Sequence, residues 1–301
     1  MKSKSLDRVL GAKEKMAGLL LVLPCLIFVL IRTVIPAFDA FNISLSSVAM
    51  RRGFPSKFVG LENWAKLLHD DVFWLSLENT VYFATANICI GFIIAMCIAV
   101  LLNRDFRGCK VLRVLLVVPW AVPYVSNGLI WAWIYSPSYG VLNGLLIHMG
   151  IISENQNWLG DMLLVMPALI FAQTWKDVPF MAIMILAALQ TFPEELREAA
   201  IIDGASRPQV FFRVVIPYLK VPFLFILILQ TINAVKVFET VYVLTRGGPG
   251  NATRVVFLYS YEKAFQVFDL GYGAALSFVI FIIIIILMTF YLRLFSPEIS
   301  A

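Results

Sequence analysis

Residues 272–295 contain the run FVIFIIIIILMTF, which offers water almost no polar atom. A helix needs roughly 20 apolar residues to cross the hydrocarbon core of a bilayer, and this chain has several runs of that length. In hydrocarbon every backbone N–H and C=O must find its partner within the protein, so only helices and closed barrels cross. Long apolar runs without strict alternation are helical. The expected fold is all-α, a polytopic membrane protein. Of 301 residues, 60% are hydrophobic and only 14% charged, whereas a soluble domain carries about a quarter charged. No polar stretch is long enough to fold as a second domain, so one membrane domain is expected over residues 16–295. The net charge of +5 would suggest nucleic acid in a soluble protein. In a membrane chain it reflects basic loops held on one side, and no nucleic-acid partner is expected.

Six spans are expected, at 16–38, 76–102, 111–135, 162–190, 218–244 and 272–295. Residues 1–15 carry five lysines and arginines ahead of the first apolar run. That order also fits a secretory signal peptide, but the run is long for one and no small-x-small cleavage site follows. A retained first span is the expectation. In loop 39–75 the stretch FVGLENWAKLL reads as a short amphipathic helix, with Leu61, Trp64, Leu67 and Leu68 at helical spacing. Pro119 and Pro123 fall inside the third span, where neighbouring helices or water are expected to satisfy the freed carbonyls. Fourteen lysines and arginines lie in the N-terminus, the loops after spans two and four, and Arg293. Seven lie in the alternate loops, and Arg32, Lys176 and Lys236 lie within spans. The bias places both termini, and the short tail 296–301, in the cytoplasm of a bacterial-type inner membrane.

The longest polar interruption of the second half is TFPEELREAAIIDGASRPQVFFRVVIP, residues 191–217. Thr191 is positioned to cap a helix, and Pro193 suits a first turn, where its missing N–H costs nothing. Glu194, Glu195 and Glu198 crowd the N-terminal half, where the helix dipole favours negative charge. Gly204 is placed to end the helix in a left-handed conformation. Ser206 and Gln209 have the spacing of a capping box, and Pro217 is expected to bend the chain into the next span.

Glu198-Ala199-Ala200, Gly204 and Val214-Val215-Ile216-Pro217 resemble the signature of permease subunits of ABC importers. That signature is Glu-Ala-Ala, three residues, Gly, nine residues, then Ile-x-Leu-Pro; Val214 and Ile216 depart from it by aliphatic swaps. The resemblance implies a helix on the cytoplasmic membrane surface that docks in a cleft of an ATPase. Its contact set would be Glu194, Glu195, Leu196, Arg197, Glu198, Ala199, Ala200, Asp203 and Gly204. Gly60-Leu61-Glu62-Asn63-Trp64, the stretch 241–249 (VYVLTRGGP), and Ala264-Phe265 with 271–275 (GYGAA) are similar to segments of carbohydrate permeases of the maltose type. That branch implies a second six-span permease, an ATPase dimer and an extracytoplasmic solute-binding protein as partners. The large outer domain of some maltose permeases has no counterpart in loop 39–75.

The chain has no Walker A loop, Gly-x-Ser-x-Gly elbow, His-Glu-x-x-His pair or clustered carboxylate dyad. Cys25, Cys89, Cys97 and Cys109 show no disulfide or metal spacing, and His69 and His148 are isolated. Neither an enzyme nor a metal site is expected, and ATP would be bound by a separate subunit. Polar side chains within spans face a cavity or another helix. Those near mid-membrane are Asn87, Tyr124, Asn127, Gln173, Trp175, Lys176, Asp177, Gln230 and Asn233. They are the candidates for a substrate path suited to a carbohydrate, polyol or sugar phosphate, because amides supply both donors and acceptors. The competing reading is hydrogen bonding that glues the bundle. Asp177 has two further possible partners, Lys236 and Arg32, and Lys236 with Glu239 has the spacing of an intrahelical pair. The intramembrane charges also admit an ion-coupled transporter or channel, which leaves loop 191–217 unexplained.

Overall fold

The computed structural model describes residues 18–47 and 57–295. The expected N-terminal segment, the start of the first span, part of the first outer loop and the C-terminal tail lie outside the described residues. Five helices are long and apolar enough to cross a bilayer: Gly18–Ser44, Asp71–Leu102, Val165–Gln190, Lys220–Leu244 and Leu270–Leu294. A sixth crossing is the helix pair Cys109–Ala121 and Tyr124–Ile134, which meets at a 95° bend. These are spans one, two, four, five, six and three, respectively.

Span four is the axis. Of its most apolar window 72% is buried, against 28% for span two and none for span one. Span two packs along it with a stripe of small residues, Gly91, Ala95 and Ala99, all buried. Such stripes let two helix backbones approach closely where no water drives association. A Cβ on Gly91 would strike the Met181 methyl of span four. Span two begins at Asp71, five residues before its expected start, because Asp70 caps it: the carboxylate accepts from the N–H groups of Val72 (2.9 Å) and Phe73 (3.3 Å).

The third span departs most from expectation. Pro119 stays within the first half-helix, but Val122 is extended (φ −68°, ψ 128°) and Pro123 starts the second half. A residue before proline is pushed out of the helical region, so the break falls at Val122-Pro123. Span five is also interrupted. Lys220–Val235 ends at Lys236, and Glu239–Leu244 resumes after Phe238 at φ −141°, ψ −60°. Only 17% of the window of span six is buried, with Phe281, Ile282, Ile285, Ile286 and Phe290 exposed, a surface suited to lipid. The end of span one packs on span six, where Phe41 meets Phe278 with ring centroids 5.3 Å apart.

On the expected outer face, strands Ser46–Ser47 and Lys57–Phe58 pair antiparallel. The amide of Asn63, in the helix Glu62–Leu68, donates to the carbonyls of Ser44 (2.9 Å) and Ser46 (3.1 Å). That helix buries Leu67 but leaves Leu61 and Leu68 exposed, so the expected apolar face is only partly used. Loop 136–161 is pinned by Asn143, which receives the Trp158 indole N–H at 2.8 Å and pairs with the Gln156 backbone.

Candidate functional site: a surface helix and a buried polar knot

The helix Glu194–Ile202 has no buried residue. Its N-terminal flanking residue is Pro193, not Thr191; the Thr191 hydroxyl instead turns back to the Ala188 carbonyl at 2.8 Å. Gly204 has φ +82°, the left-handed ending that a residue without Cβ adopts freely. Ala205 N–H closes the turn on the Ala200 carbonyl at 3.0 Å. The Gln209 side-chain oxygen accepts from Ser206 N–H at 2.7 Å, and the expected capping box is formed. The chain passes Pro217 within a helical turn and breaks at Leu219, next to Lys220.

Glu194, Glu195, Glu198, Ala199, Asp203 and Gly204 are exposed. Arg197 is half-buried and bridges Glu194 at 3.4 Å. Ala200 packs against the adjoining core, while Leu196 is exposed. Two further side chains complete this surface: Ile201 and Ile202, the latter 85% exposed. Their exposure is the signal that sequence spacing alone did not assign. Apolar side chains held in water on an otherwise acidic helix mark a surface awaiting a partner.

The second region lies inside the bundle. Asp177 of span four is buried, and among the described residues no lysine or arginine pairs with it; Lys236 and Arg32, left open by the sequence, are not its partners. Its oxygens accept from three amides: Asn87 of span two at 3.1 Å, Gln173 at 3.0 and 3.2 Å, and Gln230 of span five at 2.9 Å. Accepting at both oxygens is the pattern of a carboxylate. The charge also fixes each amide the other way round. With its NH2 turned to Asp177, Asn87 offers its oxygen to Thr174 (2.8 Å) and Gln173 offers its own to Thr240 (2.7 Å). Thr174 and Thr240 were not among the sequence candidates, since a threonine within a span is unremarkable by type.

Lys176 points elsewhere. Its ammonium donates to the carbonyls of Trp120 (2.9 Å) and Val122 at the bend of span three, and sits 4.4 Å from the Tyr124 ring centroid. The carbonyls freed by the broken helix are thus satisfied by a cation from the neighbouring span, which explains how a 95° bend persists in the bundle. Asn127 donates to the Ala172 carbonyl at 3.2 Å and is fully buried, joining spans three and four.

Beside the knot lies a cavity of about 240 Å³ lined by Tyr124, Gln173, Asn233, Lys236, Phe238 and Glu239, together with Val237 and Phe257. It opens at the interruption of span five. Three of the nine path candidates, Tyr124, Gln173 and Asn233, line it. Asn87, Asn127, Lys176, Asp177 and Gln230 are instead buried between helices. Trp175 turns to an apolar groove it shares with Phe171 and Tyr82. Lys236 and Glu239 face the cavity without forming the intrahelical pair their spacing allowed.

A helical membrane bundle with a broken span at its cavity and a bare amphipathic helix at one face defines a transport permease. The chain belongs to the binding-protein-dependent transport system inner membrane component family, whose pattern matches residues 87–300. It is 37% identical to the trehalose/maltose transport system permease protein MalF of Thermococcus litoralis, over 96% of this chain and 97% of that protein. It is 34% identical to the sulfoquinovosyl glycerol transport system permease protein SmoG of Agrobacterium fabrum, over 97% and 94%. Among solved structures, a chain of a bacterial ABC transporter that imports the acidic polysaccharide alginate superposes with a TM-score of 0.80 at 20% identity, covering 97% of this chain and 99% of that one. That likeness concerns the fold.

Proposed function

We propose that this chain is a permease subunit of an ATP-driven importer that admits a carbohydrate or related polyol, or a sugar phosphate, by alternating access. The observation that carries the reading is the helix Glu194–Ile202, ended by Gly204 and without a buried residue, with Ile201 and Ile202 in water. It has the form of a contact made for another protein. Its partners are a cytoplasmic ATPase dimer, a second six-span permease and an extracytoplasmic solute-binding protein. The curated names of the relatives, trehalose/maltose and sulfoquinovosyl glycerol permeases, support a hydroxyl-rich solute. The bare flank of span one, with none of its window buried, supports a neighbouring permease. Both termini and the coupling helix lie in the cytoplasm, as the lysine and arginine bias supports. The chain carries no catalytic set of its own, and ATP binds on the separate subunit. The solute site is the cavity at Tyr124, Gln173, Asn233, Lys236 and Glu239, with Phe238 as an aromatic wall. The buried charges Lys176 and Asp177 are each satisfied by carbonyl or amide groups, the arrangement of structural groups and not of an ion path.

Replacing Gly204 by Asp, or Glu198 by Lys, is expected to abolish uptake while the complex still reaches the membrane. The measurement is ATP hydrolysis stimulated by solute-loaded binding protein in reconstituted vesicles. Stimulation at the wild-type level in either variant overturns the coupling role.

A further inference from the structure

Between the coupling helix and the inner ends of the bundle lies a groove of about 610 Å³. Three arginines converge on it from three elements: Arg104 from the turn after span two, Arg197 from the coupling helix, and Arg207 from the start of the following helix. Among the described residues no carboxylate lines the groove. Arg197 already bridges Glu194, but the guanidinium groups of Arg104 and Arg207 have no hydrogen-bond or ion-pair partner among the described residues. The floor is apolar. Val100 and Leu189 come from the last turns of spans two and four, and Phe211 and Val215 from the π turn before span five.

We propose that this groove holds an anionic phospholipid of the inner leaflet, its phosphate on Arg104 and Arg207 and an acyl chain on the apolar floor. The side of the membrane rests on the cytoplasmic placement of the coupling helix argued above. A guanidinium fork matches two oxygens of one phosphate at once. Basic pockets between helices at the cytoplasmic face have the charge and position to take such headgroups. A soluble phosphate would satisfy the arginines yet leave the floor bare. An acidic segment of a protein partner would do the same, whereas a lipid covers both parts. The bound lipid would tie the turn after span two to the two arms of the coupling loop. It would thereby set how firmly that loop transmits movement to the bundle.

The test uses the complete transporter. Lipids retained on the purified complex are counted by native mass spectrometry, and ATP hydrolysis is measured in vesicles of phosphatidylcholine alone or with about a quarter phosphatidylglycerol. Two double variants are compared. Arg104→Gln with Arg207→Gln strips the groove. Arg107→Gln with Lys110→Gln removes the same charge from a separate cavity of the same loop. At about a factor of five per basic residue, the groove variant is expected to hold phosphatidylglycerol roughly 30-fold less well and to lose stimulation by it. The control pair is expected to stay within a few-fold of wild type. Equal loss in both pairs would mean general surface attraction and overturns the site. So does stimulation of the unaltered complex by inorganic phosphate in phosphatidylcholine vesicles, which would make the ligand a soluble anion. Loss of the ATPase from the groove variant with its lipid retained would assign the arginines to that subunit instead.

Discussion

Replacing Asp177 by Asn keeps the shape of the side chain and removes its charge. In the native bundle the carboxylate receives three amide groups, from Asn87, Gln173 and Gln230, at 2.9 to 3.2 Å. A hydrogen bond to a charged acceptor contributes about 1.5–3 kcal/mol, and a neutral one about 0.5–1.5. The loss is then about 1 kcal/mol for each of three donors, or about 3 kcal/mol together. Interhelical hydrogen bonds measured in membranes average nearer ~0.6 kcal/mol, which for the two from Asn87 and Gln230 sets a floor of about 1. The new amide also aims an N–H2 at groups that are themselves donors, and if Asn87 or Gln173 swings to relieve this it abandons Thr174 or Thr240. A net cost of ~1–4 kcal/mol corresponds to a fall of up to several degrees in the unfolding midpoint for a chain this long. The assay is the midpoint of the purified transporter, followed by loss of the monodisperse peak on heating. Asp177→Leu, which strands all three amides, is expected to fall further. In a double-mutant cycle, Asp177→Asn and Gln230→Leu should couple by about 1 kcal/mol or more. A midpoint for Asp177→Asn equal to wild type would refute the view that this carboxylate clamps spans two, four and five.

Three other outcomes follow from single sites. Lys176→Met strands the carbonyls of Trp120 and Val122, at about 1–3 kcal/mol for each buried acceptor; spin labels at Leu115 and Leu129, both exposed, should report a changed bend angle in span three, and an unchanged distance distribution would count against the staple. Gly128→Ala drives a methyl to within 2.8 Å of Val243 Cβ and should cost about 1–3 kcal/mol as overpacking, whereas Gly144→Ala, with nothing within 4 Å, should be neutral or stabilising in the same thermal assay. At Asp70, burial pushes the carboxyl up, but hydrogen bonds from the Tyr259 and Tyr272 hydroxyls and from the N–H groups of Phe73 and Val72 outweigh it and hold the group below its ordinary value. A depressed carboxyl contributes stability above its unfolded value, near 3.9, and loses it as pH falls through the folded one. Amide exchange over Val256–Tyr261 should therefore be flat from about pH 8 to 5 once corrected for intrinsic rate and quicken only below about pH 4; Asp70→Asn should show the quickened state at neutral pH, and acceleration centred near pH 6 would exclude Asp70 as the cause.

The number and place of the spans were legible because the hydrocarbon cost of polar backbone is large and is written into runs of Ile, Leu, Val and Phe. The helix Glu194–Ile202 was legible because its acidic first turn and Gly204 agree, although Thr191 turns back to Ala188 and does not cap it. What escaped was set by contacts distant along the chain. Two prolines in span three look alike in sequence, yet only Pro123 breaks the helix, because Lys176 waits across the interface for the carbonyls the break releases. Lys236 and Glu239 have the spacing of an ordinary helical pair, but span five is interrupted between them and both turn to the cavity. Asp177 reads as a charge in need of a cation. Its partners are three amides, two of them on helices far away in sequence, and no local pattern announces that. Trp175, grouped with its neighbours by position, lies on the far side of span four from Gln173, as a helical step of about 100° per residue allows.

These placements restrict how the bundle can move. Span four is clamped to span two by Asn87 and to span five by Gln230, so it cannot slide past either without exposing buried amides. The distance along it from Asp177 to its end at Gln190 is about 20 Å. There Phe192 is buried and meets the Tyr218 ring at 5.2 Å, and the chain turns at Pro193 into the coupling helix. A displacement of that helix is therefore delivered to spans two, four and five as one body. The elements set apart by the interruptions are the half-helix Tyr124–Ile134, tied to span four through Asn127 and the Ala172 carbonyl, and the segment of span five after its break, tied to the knot through Thr240 and Gln173. Tyr124 stands on the first and Glu239 on the second, and the cavity lies between them. Opening of the proposed solute cavity is thus expected at the two interruptions, with the Asp177 hydrogen bonds kept and the Asn127–Ala172 and Thr240–Gln173 bonds yielding, because the interruptions are where the backbone already lacks the hydrogen bonds that rigid-body motion would have to break.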